Sequence, residues 1–177
     1  MTTNSLSLIP ATLDDYPTIQ NMARFYVYDM SRFCGMLPGW ECPESGLYEC
    51  VDLKKYFIEE DCHPFLVRVD DELAGFVMIN KHGASEDVDW NVGEFFILAK
   101  FQGKGISQQV AFQMFDQFKG IWESSAIPQN TGAINLWQKT IAAYAKRNLS
   151  KVHFSKERKT VTCPEPHEML VWRFESR

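Results

Sequence analysis

An apolar strand followed by a two-glycine turn and an amphipathic helix constrains the fold of this chain more than any other feature. The stretch starts at Gly93, carries the run Phe95-Phe-Ile-Leu98, and turns at Gly103 and Gly105 before a helix opens near Ser107. Glycine lets the backbone approach a ligand closely, and the amides at a helix N-terminus favour anions. Beyond the turn, apolar residues recur with helical spacing, at Val110, Ala111, Met114, Phe115 and Phe118. The segment therefore predicts a phosphate-binding turn.

Two common phosphate-binding motifs do not fit this turn. A nucleoside-triphosphate loop requires Gly-x-x-x-x-Gly-Lys followed by Ser or Thr, but Lys104 is followed by Gly105. A dinucleotide-binding fingerprint requires a third glycine where Gln108 stands. The remaining interpretations are a pyrophosphate bound mostly by main-chain amides, and a tight connection that binds no ligand.

Two segments resemble motifs of the GNAT N-acetyltransferase superfamily. The run Lys100-Phe-Gln-Gly-Lys-Gly105 resembles its acyl-CoA pyrophosphate motif, Gln/Arg-x-x-Gly-x-Gly/Ala, although Lys100 lacks the forked geometry of arginine. The run Asn130-Thr-Gly-Ala-Ile-Asn-Leu-Trp-Gln-Lys139 resembles the later Asn-x-x-Ala-x-x-Leu/Phe-Tyr/Trp-x-Lys helix. The resemblance covers the second half of the chain by motif and the first half by element order. It implies an α/β, single-domain GNAT-like fold over residues 1–177, with a central mixed, mostly antiparallel sheet flanked by helices.

The same resemblance implies acetyl-CoA as the acyl-donor cosubstrate and no metal. Its pyrophosphate would be bound chiefly by backbone amides of the turn, and its pantetheine arm by the strand before the turn and by the later helix. The residues implied in cofactor binding are Phe96, Ile97, Leu98, Gln102, Gly103, Lys104, Gly105, Ile106, Ser107, Asn130, Ala133, Trp137 and Lys139.

Acyl transfer to an amine also needs an oxyanion donor and a base. The resemblance places the oxyanion donor at the backbone N–H around Leu98, which requires a bulged or splayed strand because ladder amides are normally paired. Glu94 interrupts the apolar strand and is the candidate base, acting directly or through water. We expect the flanking phenylalanines to raise its pKa by desolvation. The alternative is an edge carboxylate or a structural hydrogen-bond acceptor.

The chain departs from the family at the residue that would act as general acid for the leaving thiolate. Trp137 occupies the position at which the later helix often carries tyrosine, and indole cannot protonate a thiolate. Tyr144 follows two helical turns later on roughly the same face and could substitute. The alternative for Tyr144 is a core aromatic residue, and the thiolate can also leave unassisted.

Composition limits the class of protein. A chain of 177 residues with 45% apolar and 14% aromatic residues suits one globular domain. The net charge of −5 argues against a nucleic-acid partner and favours a cationic substrate. Apolar runs are shorter than the roughly 20 residues that span a bilayer, and the start lacks the pattern of a signal peptide, so we expect a cytoplasmic protein without a membrane partner. The five cysteines have no metal-like spacing and are expected to be reduced.

Hydrophobic periodicity and turn residues predict an alternating order of elements. Helices are predicted from Thr12, from 52 to 60, after Ser107 and from Thr131 to Arg147, with a loop between Cys34 and Cys50. Asp70-Asp-Glu72 is predicted as a hairpin turn. Strands are predicted at 5–10, 64–69, 74–80, 88–98, 121–127, 151–154 and 169–174.

We therefore predict an enzyme that transfers acetyl from acetyl-CoA to a primary amine, more plausibly of a small molecule than of a protein. Carboxylates of the first helix and loop, such as Asp29, Glu41 and Glu44, would attract a cationic acceptor. The alternative is a non-catalytic acyl-CoA-binding sensor or assembly module. A nucleotide-binding switch is disfavoured by the missing P-loop lysine. Because family members often pair through sheet edges or helices, a homodimer is a further expectation of the resemblance.

Overall fold

Up to residue 147, strands and helices follow one another in the order that the sequence predicts. The computed structural model describes residues 5–35, 38–147, 155–161 and 167–177. The elements in chain order are β1 (Leu6–Pro10), α1 (Tyr16–Cys34), β2 (Cys62–Val69), β3 (Glu72–Asn80), β4 (Trp90–Ile97), α2 (Ile106–Gln117), β5 (Gly120–Ala126), α3 (Thr131–Arg147), β6 (Ser155–Val161) and β7 (His167–Ser176). Short 3-10 turns at Leu13–Asp15, Leu53–Phe57 and Ala99–Phe101 connect some of them.

The described strands form a seven-stranded mixed sheet in the order β1-β2-β3-β4-β5-β7-β6. The β1–β2, β5–β7 and β6–β7 pairs are antiparallel, whereas β4 and β5 are parallel. The β4–β5 register joins Trp90 to Trp122 and Asn91 to Glu123. The predicted fold class, an α/β fold with a mixed sheet flanked by helices, is confirmed.

Local sequence signals account for several element boundaries. Thr12 and Asp15 form a capping box ahead of α1, with the Asp15 carboxylate accepting from the Thr12 amide at 2.9 Å. Asp70 and Asp71 both have positive φ angles, of 50° and 64°, as a tight hairpin turn between β2 and β3 requires. The predicted helix at 52–60 is a 3-10 turn, Leu53–Phe57, which Asp52 caps by accepting from the Lys54 amide at 2.8 Å. The strand predicted at 151–154 lies outside the described residues.

The first of two compact units comprises Met1–Met78 and Glu94–Gln102. Its core joins one face of α1, represented by Ile19, Met22 and Ala23, to apolar residues of β2, β3 and β4. The α1 residues are spaced three and four apart, so they share one helix face. Tyr26 and Cys50 pack against this core at its margin.

The second unit comprises Ile79–Gly93 and Gly103–Arg177. Aromatic rings from α2, β5, α3 and β7 fill its core: the ring of Phe115 lies 5.1 Å from Trp122, 5.2 Å from Tyr144 and 4.7 Å from Phe174, centroid to centroid. Edge-to-face contacts of this kind stabilise a core beyond the area that they bury. In neither unit does a described helix combine the length and the apolar character needed to cross a membrane.

Candidate active site

Glu94 is the one acidic residue of strand β4, and its carboxyl group lies among apolar and aromatic side chains of the first unit. The side chain is half-buried. Burial raises the pKa of Glu94 to about 7, an effect that the Tyr26 hydroxyl and the positive charge of Lys55 partly offset. The upward direction of the pKa shift is the one that the sequence predicts. At neutral pH this carboxyl group therefore exchanges protons readily.

Helix α1 brings Tyr26 to Glu94. Tyr26 follows Met22 and Ala23 by one turn, so it lies on the buried face of the helix. Its ring contacts Phe76 at 6.3 Å and Phe96 at 5.8 Å between centroids, and burial, followed by the charge of Glu94, raises the pKa of Tyr26 well above its usual range. The sequence analysis did not single out Tyr26, although its helical spacing from Met22 and Ala23 could have placed it on the buried face of α1.

A side-chain clamp holds the chain segment before the Leu53–Phe57 turn. Gln20 of α1 donates to the carbonyls of Cys50 at 3.4 Å and Val51 at 3.3 Å, and accepts from the Leu53 amide at 3.2 Å. The clamp thereby sets the position of Cys50, and the charge of Glu94 contributes to raising the pKa of the Cys50 thiol. Burial raises the pKa of Cys50 to about 11, so this thiol stays protonated and is a poor nucleophile.

The end of β4 corrects one prediction. The backbone N–H of Leu98 is not available as an oxyanion donor, because it donates to the Ala74 carbonyl of β3 at 2.8 Å. Amides of successive strand residues point to opposite edges, so the N–H of Ile97 points away from β3. The carbonyl of Ile97 points to the same side of β4 as its own N–H, and it accepts a hydrogen bond from the Gln102 side chain at 2.7 Å. Ile97 therefore replaces Leu98 as the candidate oxyanion donor.

The glycine turn has the geometry of an anion-binding helix N-terminus. Gly103 and Gly105 have φ angles of +73° and +77°, which L side chains rarely adopt. A side chain at Gly103 would meet no described atom within 4 Å. Helix α2 begins at Ile106, and no side chain caps its first turn among the described residues. Gln102, Gly103, Lys104 and Gly105 are exposed and Ser107 is half-buried, whereas the Ile106 side chain is buried. The exposed backbone of this turn fits a bound pyrophosphate.

Lys100 occupies the first position of the family motif but has a protein partner. Its ammonium binds the Glu72 carboxylate at 2.7 Å, and it lies 5.2 Å from the centre of the Phe101 ring. Lys104, in contrast, is exposed two residues before the start of α2. Of these two lysines, Lys104 is therefore the better placed to add charge beside an anion.

Two residues of the second motif, Asn130 and Trp137, have structural roles in the second unit. Asn130 caps α3 by accepting from the Ala133 amide at 3.0 Å. Trp137 is buried, with 3% of its surface exposed, which leaves little of it for a ligand. Phe96 of β4 is likewise a core residue, with 5% of its surface exposed. Lys139 is exposed.

Tyr144 lies in the core, so its prediction as a general acid is corrected in favour of the alternative. The residue is fully buried. Its hydroxyl donates to the Asp116 carboxylate at 3.0 Å and lies 3.1 Å from the Phe115 carbonyl. A phenol held in this way is a core hydrogen-bond donor, which is the alternative that the sequence offered.

Within the described parts of the chain, no group of three or more His, Cys, Asp and Glu side chains is arranged to hold a metal ion. The cysteines found there, Cys34, Cys42, Cys50 and Cys62, are all free thiols.

Comparison with known proteins identifies the family. The sequence model of the acetyltransferase (GNAT) family matches residues 24–142, more than half of the chain, and the chain belongs to this family. The resemblance seen in the glycine turn is thus confirmed. No curated protein matches the sequence.

Several solved structures share the fold. Aminoglycoside acetyltransferase AAC(6')-Ib in complex with coenzyme A is 16% identical, covers 98% of this chain and 95% of its own, and gives a TM-score of 0.64. An acetyltransferase from Thermus thermophilus is 17% identical over 94% of this chain and 96% of its own, with a TM-score of 0.60. The yncA protein of Salmonella typhimurium with its cofactor acetyl-CoA is 10% identical over 98% and 95%, with a TM-score of 0.60. At these identities the likeness shows the fold alone.

Proposed function

We propose that this protein transfers an acetyl group from acetyl-CoA to a primary amine of a small-molecule acceptor by direct attack. Family membership supports the acetyl-CoA-dependent reaction. The observation that carries the amine chemistry is the carboxyl group of Glu94, whose pKa is raised to about 7 on the strand that leads to the glycine turn. A base with this pKa is matched to proton removal at neutral pH.

Glu94 acts as the base. An alkylammonium has a pKa of about 10, so nearly all of the acceptor is protonated and unreactive at neutral pH. The ionised Glu94 carboxylate takes one proton from the ammonium, directly or through one water, and the free amine then has the electron pair for attack. Lys55 and Tyr26 both stabilise the ionised form of Glu94. They therefore keep part of the carboxyl population basic despite its burial.

Ile97 supplies the oxyanion contact through its backbone N–H. Negative charge develops on the carbonyl oxygen as the amine attacks, and a fixed main-chain donor stabilises that charge without reorganisation. Leu98 cannot do this because its amide is paired with Ala74. The thiolate leaves without a protein acid, since a thiol pKa of about 8.5 makes it a good leaving group, and the second proton of the acylated nitrogen passes to water.

The amides from Gln102 to Ser107 bind the pyrophosphate, and acetyl-CoA, when bound, supplies the activated acetyl thioester. Support comes from the positive φ angles of Gly103 and Gly105 and from the helix start at Ile106. Lys104 adds a positive charge. Asn130 and Ala133 are assigned to cofactor binding only because they match the family motif. The Asn130 side chain already caps α3.

The acceptor is proposed to combine an amine with an apolar body. Phe25 and Tyr28 of α1 are each 58% exposed, and the ring of Tyr48 lies 6.2 Å from that of Tyr28. These two α1 side chains lie on the helix that also carries Tyr26. Of the acidic residues expected to attract a cation, Asp29 is paired with Arg32 at 3.0 Å and Glu41 accepts from the Gly39 amide at 2.9 Å.

The test is thiol release from acetyl-CoA in the presence of a panel of primary amines, including aminoglycosides, polyamines and amino-acid derivatives. We expect turnover with a subset of the panel and its loss in Glu94→Gln. Glu72→Gln is the matched control, because Glu72 is an exposed carboxylate that binds Lys100 and should leave turnover unchanged. Equal turnover in wild type and Glu94→Gln would contradict the role of Glu94.

A second candidate is a sensor or assembly module that binds acyl-CoA without turnover. The burial of Tyr144 and Trp137 favours it, because neither residue can act as the acid that many family members carry in this helix. For such a module, acetyl-CoA would stabilise the protein while no amine released thiol. A ligand at about one hundred times its Kd stabilises the native state by about 2.7 kcal/mol, so thermal unfolding would detect it.

A further inference from the structure

We propose that Gly75 of strand β3 and the side chain of Gln102 are positioning residues for the oxyanion donor, and that together they set the direction of the Ile97 N–H. The inference deepens the proposed function and rests on the role of Ile97 in it. Both residues act through the backbone of β4, and neither exchanges a proton or a bond during the transfer.

The backbone of β4 occupies the place that a side chain at position 75 would take. Gly75 is buried, and a Cβ atom there would lie 2.1 Å from the Phe96 carbonyl oxygen and 3.0 Å from the Cα of Ile97. In a regular ladder, side chains stand perpendicular to the sheet and neighbouring carbonyls lie within its plane. The Phe96 oxygen is therefore displaced from the ladder into side-chain space.

This close approach is the reason for glycine at position 75. The φ angle of Gly75 lies outside the left-handed region, so its backbone conformation is open to other residues. The Phe96 oxygen is a backbone atom, so no side-chain rotation can make room for a larger residue. A side chain at position 75 would have to move the peptide group between Phe96 and Ile97.

The planarity of that peptide group fixes the direction of the Ile97 N–H. The Phe96 carbonyl and the Ile97 N–H are the two ends of one trans peptide, so they point in opposite directions. With its carbonyl against Gly75 of β3, the peptide directs its N–H away from β3.

The next peptide group is held at both of its ends. Its N–H, that of Leu98, donates to the Ala74 carbonyl at 2.8 Å, and its carbonyl, that of Ile97, accepts from the Gln102 side chain at 2.7 Å. The Ile97 carbonyl and N–H point to the same side of β4. The Gln102 hydrogen bond therefore also reduces the repulsion between this carbonyl and an oxyanion at the neighbouring N–H.

A glycine that serves packing alone and a positioning glycine predict different kinetics for Gly75→Ala. In both cases the added methyl group lowers the free energy of unfolding. If Gly75 positions the donor, kcat should also fall at least about tenfold, because the N–H loses its alignment with the developing charge. Acetyl-CoA affinity should change little, since the turn amides bind the pyrophosphate. Gly83→Ala is the matched control, because its Cβ would lie 2.6 Å from the Glu123 carboxylate; it should lose stability at unchanged kcat.

Gln102→Met tests the same donor from the other side of β4. Methionine keeps the length of the side chain and removes the hydrogen bond to the Ile97 carbonyl, and the position is exposed, so the variant should fold. We expect kcat to fall at least about threefold at nearly unchanged acetyl-CoA affinity. Gln113→Met, on the exposed face of α2, is the matched control and should leave kcat unchanged. If Gly75→Ala does not fold, Gln102→Met decides the proposal.

The decisive measurement is the backbone 15N–1H resonance of Ile97 in protein saturated with acetyl-CoA and with CoA. These ligands differ only in the acetyl group, so the difference reports the hydrogen bond to the thioester oxygen and requires no amine. We expect the Ile97 proton of the wild type and of both controls to lie further downfield with acetyl-CoA. This difference should be lost in Gly75→Ala and reduced in Gln102→Met.

The outcomes separate this inference from the proposed function. An Ile97 resonance that is the same with both ligands in the wild type would overturn the inference, as would differences in both variants equal to that of the wild type. Wild-type kcat in both variants would overturn positioning while leaving the transfer reaction intact. The expected NMR result without turnover on any amine would support positioning and refute the proposed transfer.

Discussion

Replacing Glu94 with glutamine is expected to stabilise the protein at high pH and not at low pH. The native carboxyl group has its pKa raised from 4.5 to about 7, chiefly by burial. Between these two pH values the folded state holds a proton that the unfolded state releases. Stability therefore falls as the pH rises through this range, and above about pH 7 the folded state carries a buried carboxylate at full cost.

The magnitude follows from the difference between the two pKa values. Raising a carboxyl pKa from 4.5 to about 7 corresponds to about 3 kcal/mol of folding free energy at pH values above both. Most of this, about 2 kcal/mol, develops between pH 5 and pH 8. The half-buried state of the side chain makes these upper values, because water screens part of the cost. Glutamine carries no charge, so the free-energy cost of burying its side chain is the same at pH 5 and at pH 8.

Urea denaturation of wild type and Glu94→Gln at pH 5 and pH 8 measures the effect. The free energy of unfolding of the variant, relative to wild type, should be about 2 kcal/mol higher at pH 8 than at pH 5, which means that the variant is relatively more stable at pH 8. Glu72→Gln should show no comparable pH dependence, since that carboxylate is exposed and paired with Lys100. A difference for Glu94→Gln that does not change with pH would refute the argument that its carboxyl group is desolvated.

Two further substitutions test the turn and the second core. Gly105→Val places a β-branched residue at a φ of +77°, so it should displace the turn amides and lower acetyl-CoA affinity at least about tenfold by calorimetry. Gly46→Val, at a φ of +70° with open space around it, is the matched control and should keep that affinity; equal losses would contradict the site. Asp116→Ala should lower the free energy of unfolding by about 1–2 kcal/mol, because Arg147 loses its carboxylate partner and Tyr144 loses one of its two acceptors. Asp116→Asn keeps an acceptor for Tyr144 and should lose less; the reverse order in urea denaturation would contradict this network.

The parts of the fold that local chemistry determines were predictable from the sequence. Helix α3 was predicted from Thr131 to Arg147, the bounds that the structure gives, because apolar spacing and turn residues mark both of its ends. The capping box of Thr12 and Asp15 likewise needs only neighbours in the chain. The turn at Gly103 and Gly105, whose φ angles are positive, was likewise predictable from the glycines and their neighbours in one short segment.

Pairing between distant segments was not predictable in the same way. Whether Leu98 or Ile97 directs its N–H away from β3 depends on the register with Ala74, and a slip of one residue reverses the answer. Tyr144 has the spacing of a functional residue, yet Asp116 of another helix satisfies its hydroxyl in the core. Tyr26 posed the opposite difficulty, because an apolar helix face gives no sign that a carboxylate from β4 will meet it.

The most direct test of the central claim is the pH dependence of acetyl-CoA turnover for wild type and Glu94→Gln with an active amine. We predict a wild-type rate that rises through about pH 7 with the ionisation of Glu94, and a variant slowed by about 10²-fold or more at unchanged acetyl-CoA affinity. A variant that matches wild type in both rate and pH profile would contradict the assignment of Glu94 as the base.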